Sequence, residues 1–302
     1  MRENNATQYN RAILSTMNTI KRFLFKDLDI RGQHLQLDDV WQKMIEDRHY
    51  TPALIEVLGE LTAMTIMMAN GLKHPGKVII QIQGQGPVNL LVVEATHELQ
   101  IRGVAKTNAV LTNESTLDEL LGDGQILMTM ENTLTDSLFQ SYVDREGSTV
   151  TEAFEAFLTQ SEQLPSKLWL AANEKGIGGV LIQQMPPSSG KTEEDIDGDG
   201  WNRISTLTET LTTEELVSLD SETLLHRLFH EEVIELFKPN TVEYNCPQDP
   251  ERIEMMIRSL GEADARKLLE EQGEIVVHNE MCNFHLRLTK EDIDRIFGTT
   301  AH

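Results

Sequence analysis

The 302-residue chain is poor in cysteine and in positive charge, and it lacks several common functional signatures. Two cysteines are too few for a secreted scaffold stapled by disulfides, and they point to a reducing, cytoplasmic setting. Lysine and arginine total 26 against 49 acids, a net charge of −23. That field repels phosphate backbones and anionic lipid, so the sequence predicts neither nucleic acid nor membrane as a partner. The opening "MRENNATQYNRAIL" has no basic n-region followed by an apolar stretch. No run is apolar and long enough to span a bilayer. The richest, "ALIEVLGELTAMTIMMANGL", contains Glu56 and Glu60 and is predicted as a buried helix. Gly84 and Gly86 in "GQGP" lack a following Lys-Ser/Thr and precede a strand, so no nucleotide site is expected. No G-x-S-x-G elbow surrounds any serine.

What is present suits a globular α+β protein, with 39% hydrophobic and 25% charged residues. Thr51 and Pro52 open a predicted helix on which Leu54, Val57, Leu58, Leu61, Met64 and Met68 recur at helical spacing. Strands follow in "KVIIQIQ", "VNLLVVEAT", "ELQIRGVA", "QILMTMEN" and "LFQSYVD". Then come a helix, "TVTEAFEAFLTQ", and an apolar strand, "IGGVLIQQMP". Residues 1–186 therefore form a core domain of mixed helices and strands. Residues 187–239 read as an acidic linker with helices, one capped by Thr212 and Glu215, another running from Leu224 through Val233 to Leu236. Residues 240–302 form a small unit in which Ile253, Met256, Ile257 and Leu260 share a helical face.

Two charged patterns invite a metal reading. "DIDGDG" from Asp195 opens like a calcium loop, with Asp197, Asp199 and Gly200 in phase, but its twelfth position is Thr206 where a bidentate glutamate is needed. An acidic linker is the simpler reading. His226 and His230 are spaced as in zinc proteases, yet Arg227 stands where the catalytic glutamate belongs. The methionines of "MTIMMANGL" offer adaptable contact surface, although their spacing is that of ordinary helix core.

The cysteines, Cys246 in "VEYNCP" and Cys282 in "HNEMCNF", lie in turn-like segments. Taken alone they read as half a metal site, a disulfide or two bystanders. Their surroundings say more. "DIRGQHLQLDDVW", "QIQGQGPVNLLVVEA", "LLGDGQILMTM", "SEQLPSKLWLAA", "GGVLIQQMP" and "RLFHEEVIELF" occur in order along the chain. "RSLGEADARKLLEEQGEIVVHNEMCNF" and "DIDRIF" complete them. Nearly end to end, the chain resembles the redox-regulated 33-kDa heat-shock chaperone family. The resemblance implies an ATP-independent holdase with a large mixed core domain, a helical linker region and a small C-terminal α+β, zinc-type domain. It also implies unfolded client proteins as partners under oxidative or heat stress, and a homodimer on activation.

In that family a C-x-C and a C-x-x-C bind one zinc when reduced, and oxidation forms disulfides, releases zinc and unfolds the domain. Here Cys246 matches the first position and Cys282 the fourth, while Gln248 and Asn279 stand at the second and third. Carboxamides are poor zinc ligands, so two missing thiolates argue against a tight site, although His278, Asp249 or His285 are near in sequence. The implied geometry places Cys246 and Cys282 within disulfide reach, and such a bond would tether the domain. Three functional expectations follow: a holdase with weakened or altered redox control, a constitutive or heat-activated holdase without it, and a thiol- or metal-dependent enzyme. The third suffers from acidic surroundings, which disfavour a thiolate.

Overall fold

The computed structural model describes residues 17–145, 147–186, 197–247 and 250–298. The chain's first sixteen residues, the linker stretch 187–196 with Asp195, and the pair Gln248 and Asp249 lie outside the described residues. Two units divide between Tyr244 and Asn245.

The first unit opens with β1 (Thr19–Phe25), β2 (Ile30–Leu37), α1 (Asp39–Ile45) and α2 (Pro52–Ala69). It continues through β3 (Gly76–Gln83), β4 (Val88–Thr96), β5 (Gln100–Thr107), α3 (Leu117–Leu121), β6 (Gln125–Asn132) and β7 (Ser137–Val143). α4 (Val150–Glu162), β8 (Ser166–Ala172) and β9 (Ile177–Gln184) follow. After the linker come α5 (Gly200–Thr208), α6 (Thr213–Ser218), α7 (Ser221–Leu228), β10 (Ile234–Leu236), β11 (Asn240–Thr241) and β12 (Glu243–Tyr244).

These strands build two sheets. One runs β10-β1-β2-β9-β8 with β11 also on β1, the other β12-β5-β4-β3-β6-β7. Strand β3 shows why: Val78, Ile80 and Ile82 alternate inward while Lys77 and Gln81 point away. Helix α2 touches strands of both sheets and is buried nearly all round, which accounts for its apolar length. Its first turn carries Pro52, but Thr51 makes no side-chain capping bond, so the expected cap is conformational only. Strands β1 and β2 escape an alternation test because both faces of their sheet are covered. Ile20 points into the core around α2, whereas Phe23 and Phe25 point into a second core.

That second core lies against α5, α6 and α7, whose Ile204, Leu216, Leu224 and Leu225 meet Phe25, Ile30, Val180 and Ile182. The residues read as a helical linker thus pack within the first unit. The helix expected from Leu224 to Leu236 is shorter. It ends at Leu228, and Ile234–Leu236 instead pairs antiparallel with Phe23–Phe25. Edge pairing satisfies backbone groups of β1 that a longer helix would leave open.

The second unit holds α8 (Pro250–Leu260), α9 (Glu262–Gln272), the hairpin β13 (Ile275–Asn279) and β14 (Phe284–Leu288), and α10 (Lys290–Phe297). Gly261, at φ +93°, separates the two helices with a backbone conformation that a side chain resists. The core is small: Ile257, Ala265, Ile275, Leu288, Ile293 and Ile296. Met256 and Leu260, expected on the buried face, are 48% and 45% exposed. The buried stripe is narrower than the sequence pattern implied, because little else is there to cover α8.

Candidate functional site

Cys246 precedes α8, and Cys282 sits in the turn between β13 and β14. The structure joins them in a disulfide with their Cα atoms 5.5 Å apart. The hairpin register, Ile275↔Leu288 to Asn279↔Phe284, sets the turn's position. Asn279 Oδ1 accepts the Cys282 backbone N–H at 3.3 Å, so the carboxamide at the expected third ligand position closes the turn. His278 and His285 face each other across the hairpin with rings stacked 4.1 Å apart.

In this disulfide-bonded form the Cys246 and Cys282 sulfurs are not thiolates, the form in which cysteine ligates zinc. Among the described residues no group of three or more His, Cys, Asp or Glu is placed to hold a metal. The other sequence candidates are engaged elsewhere. Arg203 holds the Asp197 carboxyl below its usual range through a 2.8 Å ion pair. His226 lies in the last turn of α7, whereas His230 is past the helix end, so the two do not share one helical face. The N–H groups of Gln85 and Gly86 both donate to the Leu121 carbonyl. A side chain at Gly86 would meet Leu120 O at 2.5 Å, so this glycine serves close backbone packing and not a phosphate.

A second feature lies where α6 and α7 cover the sheet. Polar side chains of β1 and β2 tie this cover down: Lys21 Nζ bonds Glu222 at 2.6 Å, His34 Nδ1 meets Ser221 Oγ at 2.7 Å, and Gln36 donates to Val217 O at 3.2 Å. His34 is fully buried and its Nε2 has no partner among the described residues. Burial chiefly, and then Lys21, lower its pKa to about 4, against the opposing pull of Asp220. On α2, burial and then the repulsion of Glu56 push the Glu60 carboxyl up to about 8. Sequence reasoning missed this polar seam, since buried polar strand residues look like surface ones until their partners are known.

The two buried groups set opposite pH slopes. Glu60 contributes stability that is complete below its ordinary 4.5 and lost as pH rises through about 8. His34 contributes stability present above its ordinary 6.5 and lost as pH falls through about 4. From pH 4.5 to 6.5 the slopes cancel, and above 6.5 only that of Glu60 remains. Glu60→Gln is therefore expected to uncover the His34 slope, roughly 1.4 kcal/mol per pH unit, between pH 4 and 6.5, and to flatten the decline from 6.5 to 8. Urea midpoints across pH 4 to 8 read this directly. A variant that still declines above 6.5 would place the loss in another group.

Comparison with known proteins agrees with this architecture. The crystal structure of the 33 kDa chaperonin (Heat shock protein 33 homolog) from Thermotoga maritima superposes with a TM-score of 0.73, covering 92% of this chain and 97% of that one at 18% identity. Among curated relatives, the "33 kDa chaperonin" of Neisseria meningitidis serogroup A is 33% identical over 296 residues, covering 97% of this chain and 94% of its own. That of Chromobacterium violaceum is 36% identical over 280 residues, covering 92% and 93%. The sequence profile described as Hsp33 protein matches residues 18–289. The chain belongs to the Hsp33 family.

Proposed function

We propose that this chain is an ATP-independent chaperone, not an enzyme, which holds unfolding client proteins in the cytoplasm under heat or oxidative stress. The observation that carries this reading is a covered apolar sheet face. Phe23, Phe25, Ile30, Val180 and Ile182 are buried beneath helices that follow the linker. Lifting that cover would expose a patch of the kind that binds other proteins. Family membership supports the reading, and so does the cover's polar seam. Water replaces hydrogen bonds at a net cost of only about 1 kcal/mol each, so the main opposition to release comes from the apolar contacts and not from the seam. The strong negative charge would keep a client-loaded complex soluble.

The redox control we propose differs in sign from the one the family resemblance implies. The Cys246–Cys282 bond closes a segment of 36 residues and holds the second unit together when oxidised. Light scattering of a heat-unfolding client should show stronger suppression of aggregation with reduced protein than with peroxide-treated protein. Suppression only after peroxide would restore the family's usual direction, and equal suppression would favour a heat-activated or constitutive holdase. Protection in neither state would remove the chaperone reading.

A further inference from the structure

Residues of both sheets of the first unit, with the end of α2 and part of α4, line a groove of about 930 Å³. The walls differ in chemistry. On one side the register of β6 with β7 places Met128 beside Ser141 and Met130 beside Phe139, all lining the groove. The end of α2 adds Met67, Met68 and the adjacent Leu72. On the other side Arg22, Arg31, Gln33 and Gln183 present polar groups. Arg31 pairs with Glu162 at 3.2 Å, and the exposed Arg22 donates to the Asn70 carbonyl, close in sequence to Lys73. Glu162 is the one acid among the lining residues, against three cations. In a chain of net charge −23 this is a local excess of positive charge.

One border of the groove is β7, the edge strand of its sheet. Its sequence, SLFQSYV, contains no charge and no proline, the devices that usually blunt an exposed edge. Leu138, Phe139 and Tyr142 are 59%, 55% and 65% exposed. Among the described residues no strand pairs with its outer side, and an edge strand offers a row of backbone donors and acceptors whose natural complement is another extended backbone.

We propose that the β7 edge and this groove bind an extended segment of an unfolding polypeptide that carries both apolar and acidic residues on one strand face, at every second position. The segment adds to β7 as a strand and sends its apolar side chains among Met128, Met130 and Phe139. Its carboxylates meet Arg22 and Lys73. Methionines repack around different side chains, which suits a site that takes many sequences. The cations answer a difficulty of the molecule as a whole, since a strongly acidic chaperone repels acidic clients everywhere else. This assignment rests on the chaperone reading and gives it a client class and a place.

The test uses full-length protein and two fluorescein-labelled peptides in which valine and glutamate, or valine and lysine, take turns at every second position with threonine between them, read by anisotropy. The glutamate peptide is expected to bind about tenfold more tightly than the lysine peptide, against the sign of the net charge, and to weaken at about 0.5 M salt. Phe139→Ser should cost about tenfold in affinity with an unchanged melting temperature, because Phe139 is exposed. Arg22→Gln with Lys73→Gln should abolish the preference for glutamate. Absence of peptide binding, a preference for lysine, or indifference to Phe139→Ser would overturn the proposal. So would a dimer broken by Phe139→Ser, since a second copy would then be the occupant. Aggregation suppression by the same samples separates the two readings. Suppression without groove binding removes the groove alone, and loss of both removes the chaperone function too.

Discussion

Reduction of the Cys246–Cys282 disulfide is expected to destabilise the second unit by roughly 4 kcal/mol, from the chain entropy of its loop. The bond joins residues 36 apart in a unit beginning at Asn245, whose core comprises only six fully buried apolar side chains. Units of this size hold only a few kcal/mol of net stability, so the loss is comparable with the whole. Hydrogen exchange should show it first. Amides of Ile275–Asn279, protected by the hairpin ladder, should lose protection with dithiothreitol, while those of α2 in the first unit should not change. A Cys246→Ser, Cys282→Ser protein should behave like the reduced form, with or without oxidant. If the reduced unit were the more protected one, another constraint would have to replace the disulfide, and zinc content should then be measured by chelation.

Leu224→Ala is expected to convert the protein into a chaperone active in both redox states. Leu224 is fully buried in the second core, where Phe25 also packs edge-on against Phe229 with ring centroids 5.1 Å apart. Truncating such a side chain costs about 2–5 kcal/mol. Here the cost falls on the covering helices, whose remaining ties to the sheet are the apolar contacts of Ile204, Leu216, Leu225 and Phe229 and a few polar ones. The expected readouts are stronger dye binding to apolar surface and aggregation suppression that persists in the oxidised, disulfide-bonded protein. Leu58→Ala is the matched control. It removes the same group from the core between the sheets, where the helix is enclosed, and should lower the melting temperature without increasing suppression. A Leu224→Ala protein that is less stable but no better at suppression would show that the covered sheet face is not the client surface.

Some elements were legible because one physical signal dominated them. Strands β3 to β7 alternate or run apolar between turn residues, and α4 and α6 carry capping boxes at Thr149 and Thr212 that bind as the sequence pattern requires. Strands β1 and β2 were not legible, since both their faces are covered and Lys21, His34 and Gln36 are polar yet buried. Segment 234–236 read as helix because its apolar residues continue a helical spacing, and pairing with β1 overrode it. The disulfide was an expectation drawn from family likeness, and the turn carrying Asn279 gave it a place. The groove left no signal in sequence, because Arg22, Met68 and Phe139 meet only after two sheets close on one helix.

The sequence by itself determined the family, the α+β class, the helix at 52–69 and the identity of the two thiols, since composition, local periodicity and ordered motifs are properties of the chain. Tertiary structure alone decided which face of β1 meets which core, where His34 and Glu60 lose water, and that the edge of β7 borders a basic, methionine-lined groove. Burial, desolvation and edge exposure depend on which distant segments pack together, and no local pattern encodes them.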